Sequence, residues 1–133
     1  HPDLTLKLSA LMPTWRVNIL AQRCGEVLFN NSIFLNNSVS ALIKSREELT
    51  RALMDIQQLK VFGSSANFLL LKLLSEQPEA GVLVDKLARG GLVTRLCDDF
   101  RGLEKGRFLR IAVRKPDENE RLVKKFRGLL ADG

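Results

Sequence analysis

Apolar positions recur every three or four residues over the first half of the chain and give way to runs and alternation in the second. Leu4, Leu6, Leu8 and Leu11-Met12 form a short helical pattern that Pro13 ends. From Arg16, the positions Val17, Leu20, Ala21, Cys24, Val27 and Leu28 predict a helix. Asn30-Asn31-Ser32 interrupts it and supplies an N-cap for the next segment, which runs to about Leu59 with Leu42, Leu49, Leu53 and Ile56 on one side. Ser45-Arg46-Glu47-Glu48 resembles a capping box inside that segment, so two helices are the alternative. One long helix is preferred, because no glycine or proline breaks residues 33–60.

At Lys60 the period changes. Val61-Phe62-Gly63 and the run from Ala66 to Leu73, separated by Ser64-Ser65, predict a strand, a turn and a buried strand. After Pro78, a helix places Ala80, Leu83, Val84, Leu87 and Ala88 on one face, and Gly90-Gly91 closes it. A short strand ending in Arg95, a polar loop with Gly102 and Gly106, and a second strand from Arg107 to Arg114 follow. The last helix begins after Pro116 and carries Leu122, Val123, Phe126, Leu129 and Leu130 as its stripe. Asp117, Glu118 and Glu120 stand early in it and Lys124, Lys125 and Arg127 late, as the helix dipole favours. The expected class is α+β: two N-terminal helices, then a small, mostly antiparallel sheet covered on one face by helices. Residues 1–59 form the helical segment and 60–133 the α+β domain.

Charge alters this picture more than composition does. The formal net charge is +6, and 13 of the basic residues against 6 acidic ones fall between Lys86 and Arg127, leaving the remainder nearly neutral. Such a concentration suggests an anionic ligand or partner, with a solvated basic face as the plain alternative. No stretch nears the ~20 apolar residues that span a bilayer, and no signal-peptide pattern opens the chain. His1 is the only histidine, which excludes a histidine-based triad or an all-histidine metal site. Cys24 and Cys97 are too few for a disulfide framework or zinc cluster and read as reduced thiols in a cytoplasmic protein.

Familiar catalytic motifs are absent from the sequence: there is no phosphate-cradling Gly loop followed by Lys-Ser or Lys-Thr, and no Gly-x-Ser-x-Gly. Asp98-Asp99 reads as a solvated loop pair. Cys97 stands between arginines that would favour its thiolate, but a partly buried structural thiol is the preferred reading. Arg110 is more suggestive. In Phe108-Leu109-Arg110-Ile111-Ala112-Val113-Arg114 the faces alternate, so Leu109, Ile111 and Val113 meet the helices while Arg110 shares the other face with Phe108, Ala112 and Arg114. A guanidinium so placed suits a two-point grip on a carboxylate or phosphate. A solvated arginine on an open sheet face is the competing view.

Several ordered stretches point to one family. Gly91-Leu-Val-Thr-Arg95, Cys97, Phe100-Arg-Gly-Leu103, Arg107-Phe-Leu-Arg-Ile-Ala-Val-Arg114 and Pro116-Asp-Glu-Asn119 with Leu122 resemble the C-terminus of fold-type-I, pyridoxal-phosphate-dependent aminotransferases. The branch is that of histidinol-phosphate aminotransferase and threonine-phosphate decarboxylase. Met12-Pro13-Thr-Trp15-Arg-Val-Asn18 with Ala21-Gln22 is similar to the segment opening that branch's interdomain helices, and Ser65-Ala-Asn67-Phe-Leu-Leu70 to the strand beginning its small domain. The loop between Arg95 and Arg110 is slightly longer than usual there, around Glu104 to Gly106.

The resemblance implies a pyridoxal 5'-phosphate enzyme that uses the cofactor ring as an electron sink, with the small domain presenting substrate-binding residues. Arg110 is implied to hold the substrate carboxylate and Arg95 a second anionic contact, the phosphate of threonine phosphate or histidinol phosphate. Asn67 and Trp15 are weaker substrate-site candidates. The family's Ser-x-Ser-Lys motif, which carries the cofactor lysine, does not occur here. The chain is therefore expected to be an inactive C-terminal fragment of a homodimeric, cytoplasmic parent, with its large domain missing. Trp15, the Cys97 to Leu103 loop and Ala112-Val113-Arg114 favour the decarboxylase of cobalamin biosynthesis over histidinol-phosphate aminotransferase. From another class, a basic α+β nucleic-acid-binding module would interleave aromatics with its cations on the open sheet face, where Phe108 alone is clearly placed.

Overall fold

The structure, a computed structural model, describes residues 1–13, 17–76 and 78–131. The chain divides into two compact units, His1–Ser38 and Val39–Gly133.

The first unit holds α1 (Pro2–Leu11), α2 (Ile19–Phe29) and the start of α3 (Ser32–Met54). Asn18 caps α2, its Oδ1 accepting the Ala21 N–H at 2.9 Å, and the Gln22 side chain donates to the Val17 carbonyl at 3.0 Å. Asn31 Oδ1 accepts the Phe34 N–H at 3.0 Å, so the polar break expected to start the next helix does so. Neither α1 nor α2 contains a buried residue, and Leu11, Leu20 and Phe29 are exposed by three-quarters or more. These helices carry apolar stripes without a partner among the described residues.

A single helix occupies the segment expected to run to Leu59, and it stops at Met54. Ser45-Arg46-Glu47-Glu48 lies inside it as ordinary helix rather than as a cap. The end comes early because Leu53, Ile56 and Leu59 are all buried, and a tight turn (Ile56 N–H to Leu53 O, Leu59 N–H to Ile56 O) carries the chain from the helix into the sheet.

The second unit is α+β. After α3 come β1 (Leu59–Val61), β2 (Phe68–Leu73), α4 (Ala80–Arg89), β3 (Arg95–Leu96), β4 (Phe108–Ala112) and α5 (Pro116–Ala131). The four strands form one sheet in the order β1-β2-β4-β3, every neighbouring pair antiparallel. Alternation sorts its faces. Leu69, Leu71 and Leu73 of β2 and Leu109 and Ile111 of β4 point into a core completed by Leu49 and Leu53 of α3, Leu83 and Leu87 of α4, and Leu122 and Phe126 of α5. Each such side chain contributes about 1.5–3 kcal/mol by leaving water. The edges are short and basic, three residues in β1 with Lys60 central and two in β3, which discourages edge-to-edge pairing.

Two termini orient the helices beside the sheet. α4 ends at Gly90, and Gly91 follows at φ +75°, a conformation that favours glycine. α5 starts with Pro116 at its first position, and Glu118 reaches back to the Lys115 N–H at 3.4 Å. Buried Asn119 accepts the Arg114 N–H and donates to the Arg114 carbonyl, both at 2.9 Å, tying the exit of β4 to the first turn of α5.

Candidate anion site on the open sheet face

β3 and β4 align so that Arg95 and Arg110 are direct cross-strand partners, and Leu70 of β2 stands opposite Arg110 on its other side. Directly opposed residues hold their β-carbons about 4.5–5.5 Å apart, a placement unfavourable for like charges. The register thus sets the two arginines opposite one another on the face the helices leave open, Arg110 reaching the Phe68 ring of β2 and Arg95 reaching Asp99 and Phe100 of the following loop.

Each has a different environment. Arg95 Nη2 meets Asp99 Oδ2 at 2.5 Å, and its guanidinium lies 5.9 Å from the Phe100 ring centre. Arg110 is half-buried, has no carboxylate partner among the described residues, and stacks 4.8 Å from the Phe68 ring centre. Stacking on a phenyl ring holds the flat cation without using its N–H donors, which stay available to an anion. The same arrangement extends along the face: Lys72 lies over Phe108 and Lys60 over Phe62, at 5.4 and 5.1 Å. Phe108 is buried although it is on this face, because Phe62, at 6.0 Å between ring centres, and Lys72 cover it.

Cys97 directly follows β3, 1% exposed, its N–H donating to the Phe108 carbonyl at 3.1 Å and its thiol to the Arg95 carbonyl at 3.6 Å. Burial pushes the thiol above its ordinary range, and the pull of Arg110 and Arg95 does not reverse that. It is a packed thiol and not an activated nucleophile.

The loop between the arginines is braced by side chains, and Asp98 and Asp99 go to different partners, with Asp99 63% exposed as the solvated-loop reading expects. Asp98 Oδ1 accepts the Gly106 N–H at 2.8 Å, while Asp99 pairs with Arg95. Both carboxylates are tied because the loop has few backbone bonds of its own and the arginine needs a counter-charge. Gly106, at φ +72°, also accepts the Ala80 N–H through its carbonyl at 2.8 Å, joining the loop to the start of α4. Glu104 bonds Lys72 at 2.9 Å, and that bond holds its carboxyl below the usual range. Arg107 donates to the carbonyls of Ser75 and Leu74 at 2.6 and 2.9 Å.

Of the other candidates, Asn67 immediately precedes β2, its carbonyl accepting the Val113 N–H at 2.8 Å. Its backbone stands three residues from the level of Arg110, next to Phe68, whose ring the Arg110 guanidinium overlies. Trp15 lies outside the described residues. Sequence reasoning missed Phe68, Phe100 and Asp99; the alternation of Phe68, Leu70 and Lys72 was the available signal for the first. Phe62, Phe68 and Phe108 stand on this face with Lys60, Lys72 and Arg110, each ring facing one of the chain's own cations. A groove of about 690 Å³ between α3 and α5, lined by Leu49, Ala52, Pro116 and Val123, lies on the helical side of the sheet, away from the arginines.

Comparison with known proteins gives the setting. Residues 7–126 match the family described as aminotransferase class I and II. An adenosylcobalamin biosynthesis bifunctional protein from Leptospira interrogans is 32% identical over 94% of this chain, which spans 14% of that protein. A protein provisionally named threonine-phosphate decarboxylase, from Caldanaerobacter subterraneus, is 31% identical over 99% of the chain, which spans 35% of it. The crystal structure of the histidinol-phosphate aminotransferase from Clostridium acetobutylicum superimposes with a TM-score of 0.79 at 23% identity, over 98% of this chain and 39% of that one, a likeness of fold. The chain therefore spans about a third or less of the curated relatives' length.

Proposed function

Because the chain belongs to the aminotransferase class I and II family, whose members are pyridoxal-phosphate enzymes, we propose that it is the substrate-binding C-terminal part of such an enzyme. The reading favoured is a threonine-phosphate decarboxylase of cobalamin biosynthesis, supported by the names of the two curated relatives. The observation that carries it is the cross-strand pairing of Arg95 with Arg110 on the open face. Two arginines opposed across one ladder suit a small ligand with two anionic ends. Arg110, lying over the Phe68 ring, takes the carboxylate in a two-point grip, and Arg95 takes the phosphate. Both contacts orient the amino acid and hold its charged ends out of water.

In this reading residues 1–59 are an interdomain segment and 60–133 a small domain closing over the substrate in a cytoplasmic homodimer. Neither lysine of the open sheet face fits the cofactor. Lys72 is engaged by Glu104 and Phe108 and Lys60 lies over Phe62, neither in an enclosed site where an amine could be held against pyridoxal phosphate. The reading leaves the cofactor to residues of the parent polypeptide outside this chain, and the chain alone is inactive. A histidinol-phosphate aminotransferase is the second reading, supported by a curated relative of that name that is 28% identical over 92% of this chain; it uses the same two arginines on a different phosphorylated ligand.

The test is Arg110→Ala in the intact polypeptide. Losing a charged contact costs about 1.5–3 kcal/mol, so kcat/KM with threonine phosphate falls about ten- to a hundredfold. Activity within about twofold of the parent would remove Arg110 from the site.

A further inference from the structure

The two arginines of the clamp are not equivalent. Arg95 is already neutralised by a carboxylate of its own chain, Asp99, four residues further on, at 2.5 Å, with side chains 52% and 63% exposed. Arg110, directly across the ladder, faces no acid among the described residues and is held by the Phe68 ring. Asp98, next in sequence to Asp99, is committed elsewhere, to the Gly106 N–H. Asp99 is thus the acid positioned to answer the Arg95 charge, and it does so from the solvent side, where a carboxylate can leave for water at little cost.

We propose that Asp99 is a resident counter-ion that an incoming anion must displace from Arg95, which makes it a specificity-determining residue of the site. The inference rests on the reading of Arg95 and Arg110 as the substrate clamp. Its consequence is an ordered preference. Arg110 accepts a carboxylate with no competitor. Arg95 accepts only a group that outcompetes a tethered carboxylate bearing one charge. A phosphate does so, with nearly two charges and three acceptor oxygens; a second carboxylate, chemically the same as Asp99, does so poorly. The pair therefore selects for a substrate with a phosphate at its second end and against a dicarboxylic amino acid, and it keeps two opposed guanidiniums from repelling one another before the ligand arrives.

Competitive inhibition by inorganic phosphate of the intact holoenzyme, together with KM for threonine phosphate, provides the test. Exposed ion pairs are weak, so Asp99→Asn should lower both the inhibition constant and KM by about two- to fivefold, with KM changing more than kcat. Asp99→Ser, which also removes the charge, should match it, and Asp99→Glu should return both values toward the parent. In an Arg95→Ala background, where phosphate binding is already weakened, Asp99→Asn should change neither value. If Arg95→Ala weakens phosphate inhibition but Asp99→Asn leaves it unchanged or weaker, the counter-ion inference falls and the clamp stands. The counter-ion role is equally refuted if the Asp99→Asn gain persists without Arg95. If neither Arg95→Ala nor Arg110→Ala alters phosphate inhibition or KM, the clamp and the inference fall together.

Discussion

Removing the ring beneath Arg110 should loosen the clamp without removing any charge. Phe68 is 39% exposed, pairs with Ala112 across the ladder, and lies 4.8 Å from the Arg110 guanidinium carbon. Phe68→Leu keeps an apolar strand residue, so the strand and the core on the other face stay in place. What is lost is the attraction between ring and cation, about 0.5–1 kcal/mol at an exposed site. At 1.36 kcal/mol per tenfold, this corresponds to about a two- to fivefold rise in KM for threonine phosphate in the intact enzyme. Phe68→Trp, the better π-face, should hold KM at or below the parent value, and Phe62→Leu, whose ring serves Lys60, should leave it unchanged. Steady-state kinetics on these variants decides the matter. An unchanged KM in Phe68→Leu, or equal losses in the Leu and Trp variants, would refute the idea that the ring positions Arg110.

Two further expectations concern stability and reactivity. Asn119→Ala removes both bonds to Arg114, at about 0.5–1.5 kcal/mol each, so a denaturant midpoint for the domain containing it should fall by an amount equivalent to about 1–3 kcal/mol; an unchanged midpoint would show that water replaces the side chain. Cys97 is buried and its thiol raised, so below its raised range it is protonated and slow to alkylate, whereas exposed Cys24 reacts. Native labelling near neutral pH should modify Cys24 alone. Folding that raises a thiol's range contributes stability below the ordinary value of 9.0 and loses it as pH climbs through the raised one. Labelling of Cys97 should therefore accelerate in strongly alkaline solution.

Much of the architecture was legible because period and burial coincide. The stripes of α4 and α5 and the alternation in β4 predicted both type and face, and Leu109, Ile111 and Val113 are buried as expected. The end of α3 was not legible, because Ile56 fits a helical stripe and a buried turn equally well. The site was half legible. Arg110 could be placed on the open face from its own strand, but that it stands opposite Arg95 and beside Phe68's strand depends on register, which no single stretch encodes. Asp99 escaped for a related reason: adjacent acids in a loop look solvated until the residue each one reaches is known.

The bond from Asp98 to the Gly106 N–H closes the base of the loop that joins β3 to β4. Residues beyond that closure form a side excursion whose length does not enter the ladder, so the register of Arg95 against Arg110 is insulated from it. Lengthening a loop costs little, about 0.6 kcal/mol for each doubling. The tip around Arg101 to Leu103 is thus a place where related chains can gain or lose residues, and with them outer contacts to a ligand, while the aim of the two arginines is preserved.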